Sequence, residues 1–134
     1  MAFSDPQQIH TFDAGAGGVR PNRMVKQSAR GEVVEAAAST DVLQGVSLDY
    51  QKADRSAISQ GEQVDIAEDG VVQVEAGGAV SIGDKITADA DGRATATTSE
   101  GDVVLGFAQN GTSGAGELVA VKIDKFVNAV AGTA

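Results

Sequence analysis

Asp-Gly pairs set between runs of alternating apolar and polar residues constrain this chain more than any other feature. In Glu62-Gln63-Val64-Asp65-Ile66 the two residue types alternate, and they alternate again in Val72-Gln73-Val74-Glu75, with Asp69-Gly70 between them. Asp-Gly supplies the positive φ angles of a type I′ turn, whose twist matches two antiparallel strands, so a hairpin is expected here. Lys85-Ile86-Thr87-Ala88 and Arg93-Ala94-Thr95-Ala96-Thr97 flank a second such turn at Asp91-Gly92. Val33 and Val34 follow the turn signal Ala29-Arg30-Gly31, Gly45 interrupts an apolar run from Val42 to Leu48, and Gly106 interrupts another from Val103 to Phe107. Val119, Val121 and Ile123 alternate with Ala120, Lys122 and Asp124, as in a strand with one wet face. Short strands separated by Gly-rich turns predict a mainly all-β fold, a small β-barrel or β-sandwich.

A chain of 134 residues is about one domain long and can bury one modest core. Aromatic residues make up 4% and Trp is absent, so that core must be built from Val, Ile, Leu and Ala. The 17 glycines raise the backbone entropy lost on folding. Both facts point to oligomerisation or a partner as a source of stability.

Composition divides the chain into an arm over 1–23, a β-domain over 24–127 and a tail over 128–134. The arm contains Pro6, the run Asp13-Ala14-Gly15-Ala16-Gly17-Gly18 and Pro21, with Phe3, Ile9 and Phe12 as isolated apolar points. It reads as an extended segment that lies across a partner, or as a disordered terminus. Tyr50 to Gln60 is polar and reads as loop, with room for a helical turn at Ala53 to Ile58.

The sequence also echoes itself. Lys26-x-x-Ala29-x-Gly31 followed by Asp41-Val42-Leu43-Gln44-Gly45 parallels Lys85-x-x-Ala88, Gly92 and Asp102-Val103-Val104-Leu105-Gly106. Gly31 to Gly92, Asp41 to Asp102 and Gly45 to Gly106 share one offset of 61 positions, and Val64-x-Ile66 has a counterpart in Val119-x-Val121 at a shorter offset. Two copies are too few for a solenoid. Two pseudo-symmetric halves of one β-domain would produce the echo, as would chance in so Gly- and Ala-rich a chain.

The net charge of −9 argues against nucleic acid as a partner. The charge is uneven: Arg20, Arg23, Lys26 and Arg30 fall between Asp13 and Glu32 with no acid among them. Such a stretch meets an acidic partner surface or forms a solvated face. With no cysteine, thiol chemistry and disulfides are ruled out. The N-terminus lacks the basic start and apolar run of a signal peptide, and no apolar stretch approaches the ~20 residues that span a bilayer. A soluble product that stays in the cell that made it is expected, with no membrane partner.

No catalytic or cofactor site emerges, and no metal site. The single histidine, His10, falls in the irregular arm. Asp89-Ala90-Asp91-Gly92 lacks the further ligands and closing Glu of a calcium loop and reads as a turn. Gly15-Ala16-Gly17-Gly18 has Arg20 where a dinucleotide fingerprint needs its third glycine. A non-enzymatic protein is expected.

Gly83-Asp84-Lys85, Ala90-Asp91-Gly92, Val104-Leu105-Gly106-Phe107-Ala108, the glycine-rich loop leading into Leu118-Val119-Ala120-Val121-Lys122-Ile123, and Val46-Ser47-Leu48 after Gly45 carry a resemblance over about Val25 to Ile123. The chain resembles the capsid decoration (cement) proteins of tailed bacteriophages. The resemblance implies a compact β-barrel-like or sandwich domain, assembly often as homotrimers, and a place on the virion exterior after synthesis in the host cytoplasm. It also implies a major capsid protein as partner, with neighbouring copies clamped together, and no catalytic residues to carry over. Phe3, Ile9, Phe12, Arg20, Arg23 and Phe126 are the candidate contact residues. The alternatives are another phage structural β-module of a tail or fibre, a carbohydrate-binding module, for which aromatic platforms are scarce, and an acid-pair hydrolase.

Overall fold

One strand organises the molecule. In the computed structural model, which describes residues 5–128, β5 (Gln63–Glu75) runs for 13 residues straight through Asp69-Gly70. The hairpin expected at that pair is therefore absent. Its two ends have different partners: Gln63 to Val71 pairs antiparallel with β1 (Asp5–Ala14), and Val71 to Glu75 pairs antiparallel with β9 (Leu118–Val127). Gly70 does take a positive φ, 84°. There it serves a kink instead of a reversal, and the register of β1 slips at Pro6/Gln8 and Gln8/Ile9 opposite it. A strand held by partners on both sides of such a residue bulges and continues.

The other strands are β2 (Met24–Ala29), β3 (Glu32–Glu35), β4 (Gly45–Ser47), β6 (Lys85–Ala88), β7 (Ala94–Ala96) and β8 (Val103–Ala108). β1 pairs with β3 in parallel, β3 with β2, β2 with β4, β4 with β5, and β5 returns to β1. That circuit is a closed small barrel. A second circuit leaves β5 through β9, β8, β6 and β7, and closes where Ala76, just past β5, bridges Ala94 of β7 in parallel. β5 is thus the last strand of barrel one and the first of barrel two, and the described residues are all-β.

The two barrels are copies in register. β2–β3 pairs Val25 with Glu35 and Gln27 with Val33, while β6–β7 pairs Ile86 with Ala96 and Ala88 with Ala94. Val25 faces Gly45 in barrel one; Ile86 faces Gly106 in barrel two. All these positions differ by 61. On the last strand the offset is 55: Val46 pairs with Ala67 and Phe107 with Lys122. The parallel closures match too, Ala14 with Val33 and Ala76 with Ala94. The duplication covers the described chain from β1 onward, with the second half of β5 standing where β1 stands. Gly31/Gly92, Asp41/Asp102 and Gly45/Gly106 occupy equivalent places. Lys26/Lys85 and Ala29/Ala88 do not, since Lys85 matches Met24.

Each barrel has its own interior. Ala14, Val19, Val25, Val33, Ile58, Val64 and Ile66 fill the first, and their counterparts Ala76, Val80, Ile86, Ala94, Val119 and Val121 belong to the larger second cluster. Only Thr112, opposite Val80 as Ile58 is opposite Val19, replaces a hydrophobe. The second cluster also contains Met24, Ala36, Leu43, Val46 and Ala67 from the outer wall of barrel one. This apolar wall is the seam between barrels.

Residues 5–14, expected within an arm, are a strand of barrel one, and Phe3 lies outside the described residues. The absence of a period of two in this segment follows from its bulged register against β5. Tyr50 to Gln60 is loop: a single turn closes where the Arg55 N–H donates to the Lys52 carbonyl at 2.9 Å, and Ile58 bridges Val19 where a helical turn would have continued.

Candidate partner-binding surface

The basic stretch is mostly consumed within the molecule. Arg20 grips Glu35: Nη2 lies 2.7 Å from Oε1 and Nε 2.9 Å from Oε2, and the Arg20 main-chain N–H donates to Oε2 at 2.8 Å. Arg23 is buried in the seam, 7% exposed, where Nη2 meets Glu75 Oε2 at 3.0 Å and Nη1 donates to the Asp91 carbonyl at 3.0 Å. Lys26 pairs with Asp41 at 3.1 Å. Of the four, Arg30 alone sits at an exposed turn with no ion pair among the described residues. Arg20 and Arg23, expected as contact residues, are therefore both held in ion pairs within the molecule, Arg23 buried and the Arg20 side chain still 47% exposed. One-dimensional charge counting cannot see that Glu35 and Glu75 fold back against them.

The apolar candidates divide as well. Phe12 is half-buried against the interior of barrel one, and Ile9 is 42% exposed on β1. Phe126 stacks on Phe107 with ring centroids 5.8 Å apart, and Lys85 Nζ stands 6.0 Å from the Phe126 centroid. The larger exposed hydrophobics are Val42 (81%), Ile82 (74%), Tyr50 and Val127. Val42 falls in an apolar run of the sequence, and no alternation or turn signal marks Ile82 or Val127 as exposed.

The carboxylates sit in turns and ion pairs. Asp89 Oδ1 accepts the main-chain N–H groups of Asp91 and Arg93 at 2.8 and 2.9 Å, which orders the β6–β7 turn. His10 contacts Glu68 on the exposed side of β1–β5. Among the described residues no three His, Cys, Asp or Glu side chains converge as a metal set would.

Burial pushes the Glu35 carboxyl up, but the hydrogen bonds from the Arg20 side chain and main chain outweigh it and hold the group below its ordinary 4.5. A carboxylate with a depressed folded pKa contributes stability that is complete above the unfolded value and fades as pH falls through the folded one. Asp41, held by Ala37, Ala38 and Lys26 against its own desolvation, acts in the same direction. The melting temperature is expected to fall as pH drops below about 4.5, and Glu35→Gln to shrink that fall while lowering Tm near neutrality. Differential scanning calorimetry across that range checks it; an unchanged acid limb in Glu35→Gln would contradict it.

A family model described as XM1 gp53 minor capsid protein matches residues 2–123, nearly the whole chain. The chain belongs to this minor capsid protein family. Among solved structures, the head fibre gp8.5 N base of bacteriophage phi29 is similar, with a TM-score of 0.66 and 24% identity over 87% of this chain and 93% of that one. No curated protein matches. A minor capsid family member is a phage structural protein associated with the capsid and the virion, which agrees with the expected phage structural role. At this identity the likeness to the head fibre base shows the shared fold alone.

Proposed function

We propose that this minor capsid family member decorates the outer surface of the phage capsid as a homotrimer and cements it by bridging neighbouring major capsid proteins. The observation that carries the reading is the family match over residues 2–123. The structure supplies a mechanism. Two small closed barrels leave few free strand edges, so the protein can coat a particle densely without edge-to-edge aggregation. Its net charge of −9 favours solubility of the coated shell. Weak contacts repeated across an oligomer add by avidity, on the order of 10²–10⁴ where the geometry allows simultaneous engagement. The protein has no catalytic role in this reading.

The likeness to a head fibre base favours a second reading, in which the two barrels seat a longer appendage on the capsid. One experiment addresses both. Purified protein is mixed with undecorated capsids, sedimented, and the capsids are melted. Cementing predicts co-sedimentation with a raised capsid melting temperature. Binding without a thermal gain favours the seat, and absence of binding defeats both.

A further inference from the structure

The seam between the barrels is a head-to-tail contact, and each barrel retains the half of that contact it does not use. On the barrel-one side, the groove between Asn22-Arg23-Met24 and Glu35-Ala36 is filled by the Asp91-Gly92 turn of barrel two. Met24 N–H donates to the Gly92 carbonyl at 2.8 Å, and a Cβ built on Gly92 would stand 2.9 Å from the Met24 carbonyl and 3.2 Å from that of Ala36. The counterpart groove on barrel two lies between Gly83-Asp84-Lys85 and Ala96-Thr97-Thr98. It is open, with a volume of about 420 Å³. The counterpart of the seated turn is Arg30-Gly31 on barrel one. Its glycine has the same positive φ, 76° against 72°, and open space where Gly92 has the Met24 and Ala36 backbone.

Burial follows the same division. Asn22, Arg23 and Met24 are buried; Gly83 and Lys85 are exposed and Asp84 is half-exposed. Gly92 is buried and Gly31 exposed. Val103 is half-buried where its main-chain N–H donates to the Ser39 carbonyl across the seam at 2.8 Å, whereas its counterpart Val42 is 81% exposed. The residues that form the two sides of the seam do not overlap when mapped onto one barrel. The contact is therefore heterologous, of the kind that builds rings or filaments.

Charge identifies the occupant. In the seam the groove residue is Arg23, which donates to the main-chain carbonyl of the turn residue Asp91, whose carboxylate pairs with Arg93 at 3.5 Å. At the equivalent positions the open groove carries Asp84 and the free turn carries Arg30, so the signs are exchanged on both sides and remain opposite. Asp84 accepts only the Ser81 main-chain N–H at 2.9 Å, and neither Asp84 nor Arg30 enters an ion pair among the described residues.

We infer that the barrel-two groove at Gly83-Asp84-Lys85 and Ala96-Thr97-Thr98 receives the Arg30-Gly31 turn of a second copy of this chain, repeating the intramolecular seam between molecules. Barrels then alternate one-two-one-two around the assembly. In the homotrimer proposed above, three such joints close a ring, but the contact itself does not rest on capsid binding and is tested without capsids.

The mass of the purified protein is measured by sedimentation equilibrium as a function of concentration. The native chain should associate to a closed multiple of the chain mass. Arg30→Asp and Asp84→Arg should each weaken association at least tenfold, and the double variant Arg30→Asp/Asp84→Arg should restore it. An equimolar mixture of the two single variants should associate more strongly than either alone, through joints in which a turn of one variant meets the groove of opposite sign on the other, but should not close a three-membered ring, where one joint must set like charges together. Circular dichroism establishes that each variant is folded, and the milder Arg30→Gln and Asp84→Asn should weaken association if a reversal proves too disruptive. A native chain that stays monomeric at its highest soluble concentration would overturn the inference. So would single variants that assemble as the native chain does, or a folded double variant that does not recover.

Discussion

Replacing Gly106 by alanine will destabilise the protein more than alanine at any other glycine among the described residues. A Cβ at Gly106 would lie 1.9 Å from the Lys122 carbonyl oxygen and 2.8 Å from its carbon. Both are backbone atoms of β9, held in place by the β8–β9 pairing, so no flexible side chain can move aside. Overpacking a well-packed interior costs roughly 1–3 kcal/mol and occasionally more. With a backbone partner at this distance, about 3 kcal/mol or more is expected, a fall in Tm of the order of 10 °C for a domain this size. Gly45 is the repeat counterpart, and its Cβ would meet the Ala67 carbonyl oxygen at 2.2 Å. Gly45→Ala should behave alike, whereas Gly114→Ala, which meets nothing within 4 Å, should be nearly silent. Urea denaturation followed by circular dichroism measures all three. A Gly106→Ala variant melting within about 2 °C of the native protein would show that β8 and β9 do not approach as described.

That comparison also explains which parts of the fold were legible in the sequence. Gly45 and Gly106 share one neighbourhood, and it left a mark: a glycine inside an apolar run, twice, 61 positions apart. Alternation and turn chemistry are local, so the β6–β7 hairpin at Asp91-Gly92 could be read directly. The pair at Asp69-Gly70 has the same local chemistry and a different outcome, because β1 and β9 hold the strand on both sides of it. Partners supplied from about 60 residues upstream and 50 downstream leave no signature in a window of ten. The same limit misplaced β1, whose slipped register hides its period, and misread Arg23, whose seam partners Glu75 and Asp91 come from the other barrel. The site suffered most: Ile9 was found as an isolated apolar point and Phe126 as a candidate contact, but the open groove at Asp84 becomes visible only by comparison with its filled counterpart.

The seam itself should yield to removal of one charge. Arg23→Met keeps the aliphatic stem but removes the donors to Glu75 and to the Asp91 carbonyl, leaving that carbonyl without its partner at a part-buried position. Loss of one partner of a buried pair costs about 3–5 kcal/mol, and the Glu75 side chain, 28% exposed, softens this to roughly 2–3 kcal/mol because water and Arg93 can reach it. Arg23 Nε has no hydrogen-bond partner among the described residues, so its removal returns part of that loss. Glu75→Gln should cost less, about 1 kcal/mol, since the amide still accepts from Arg23. The double variant should fall short of the sum by about 1 kcal/mol or more, the coupling that groups in direct contact share. Because β5 belongs to both barrels, unfolding should remain a single transition, while amide exchange at Met24, Glu75 and Val103 accelerates first, their N–H groups donating across the seam to Gly92, Asn22 and Ser39. Strict additivity of the two substitutions would mean that the ion pair does not hold the barrels together, and that the apolar wall of Met24, Ala36, Val46 and Ala67 suffices alone.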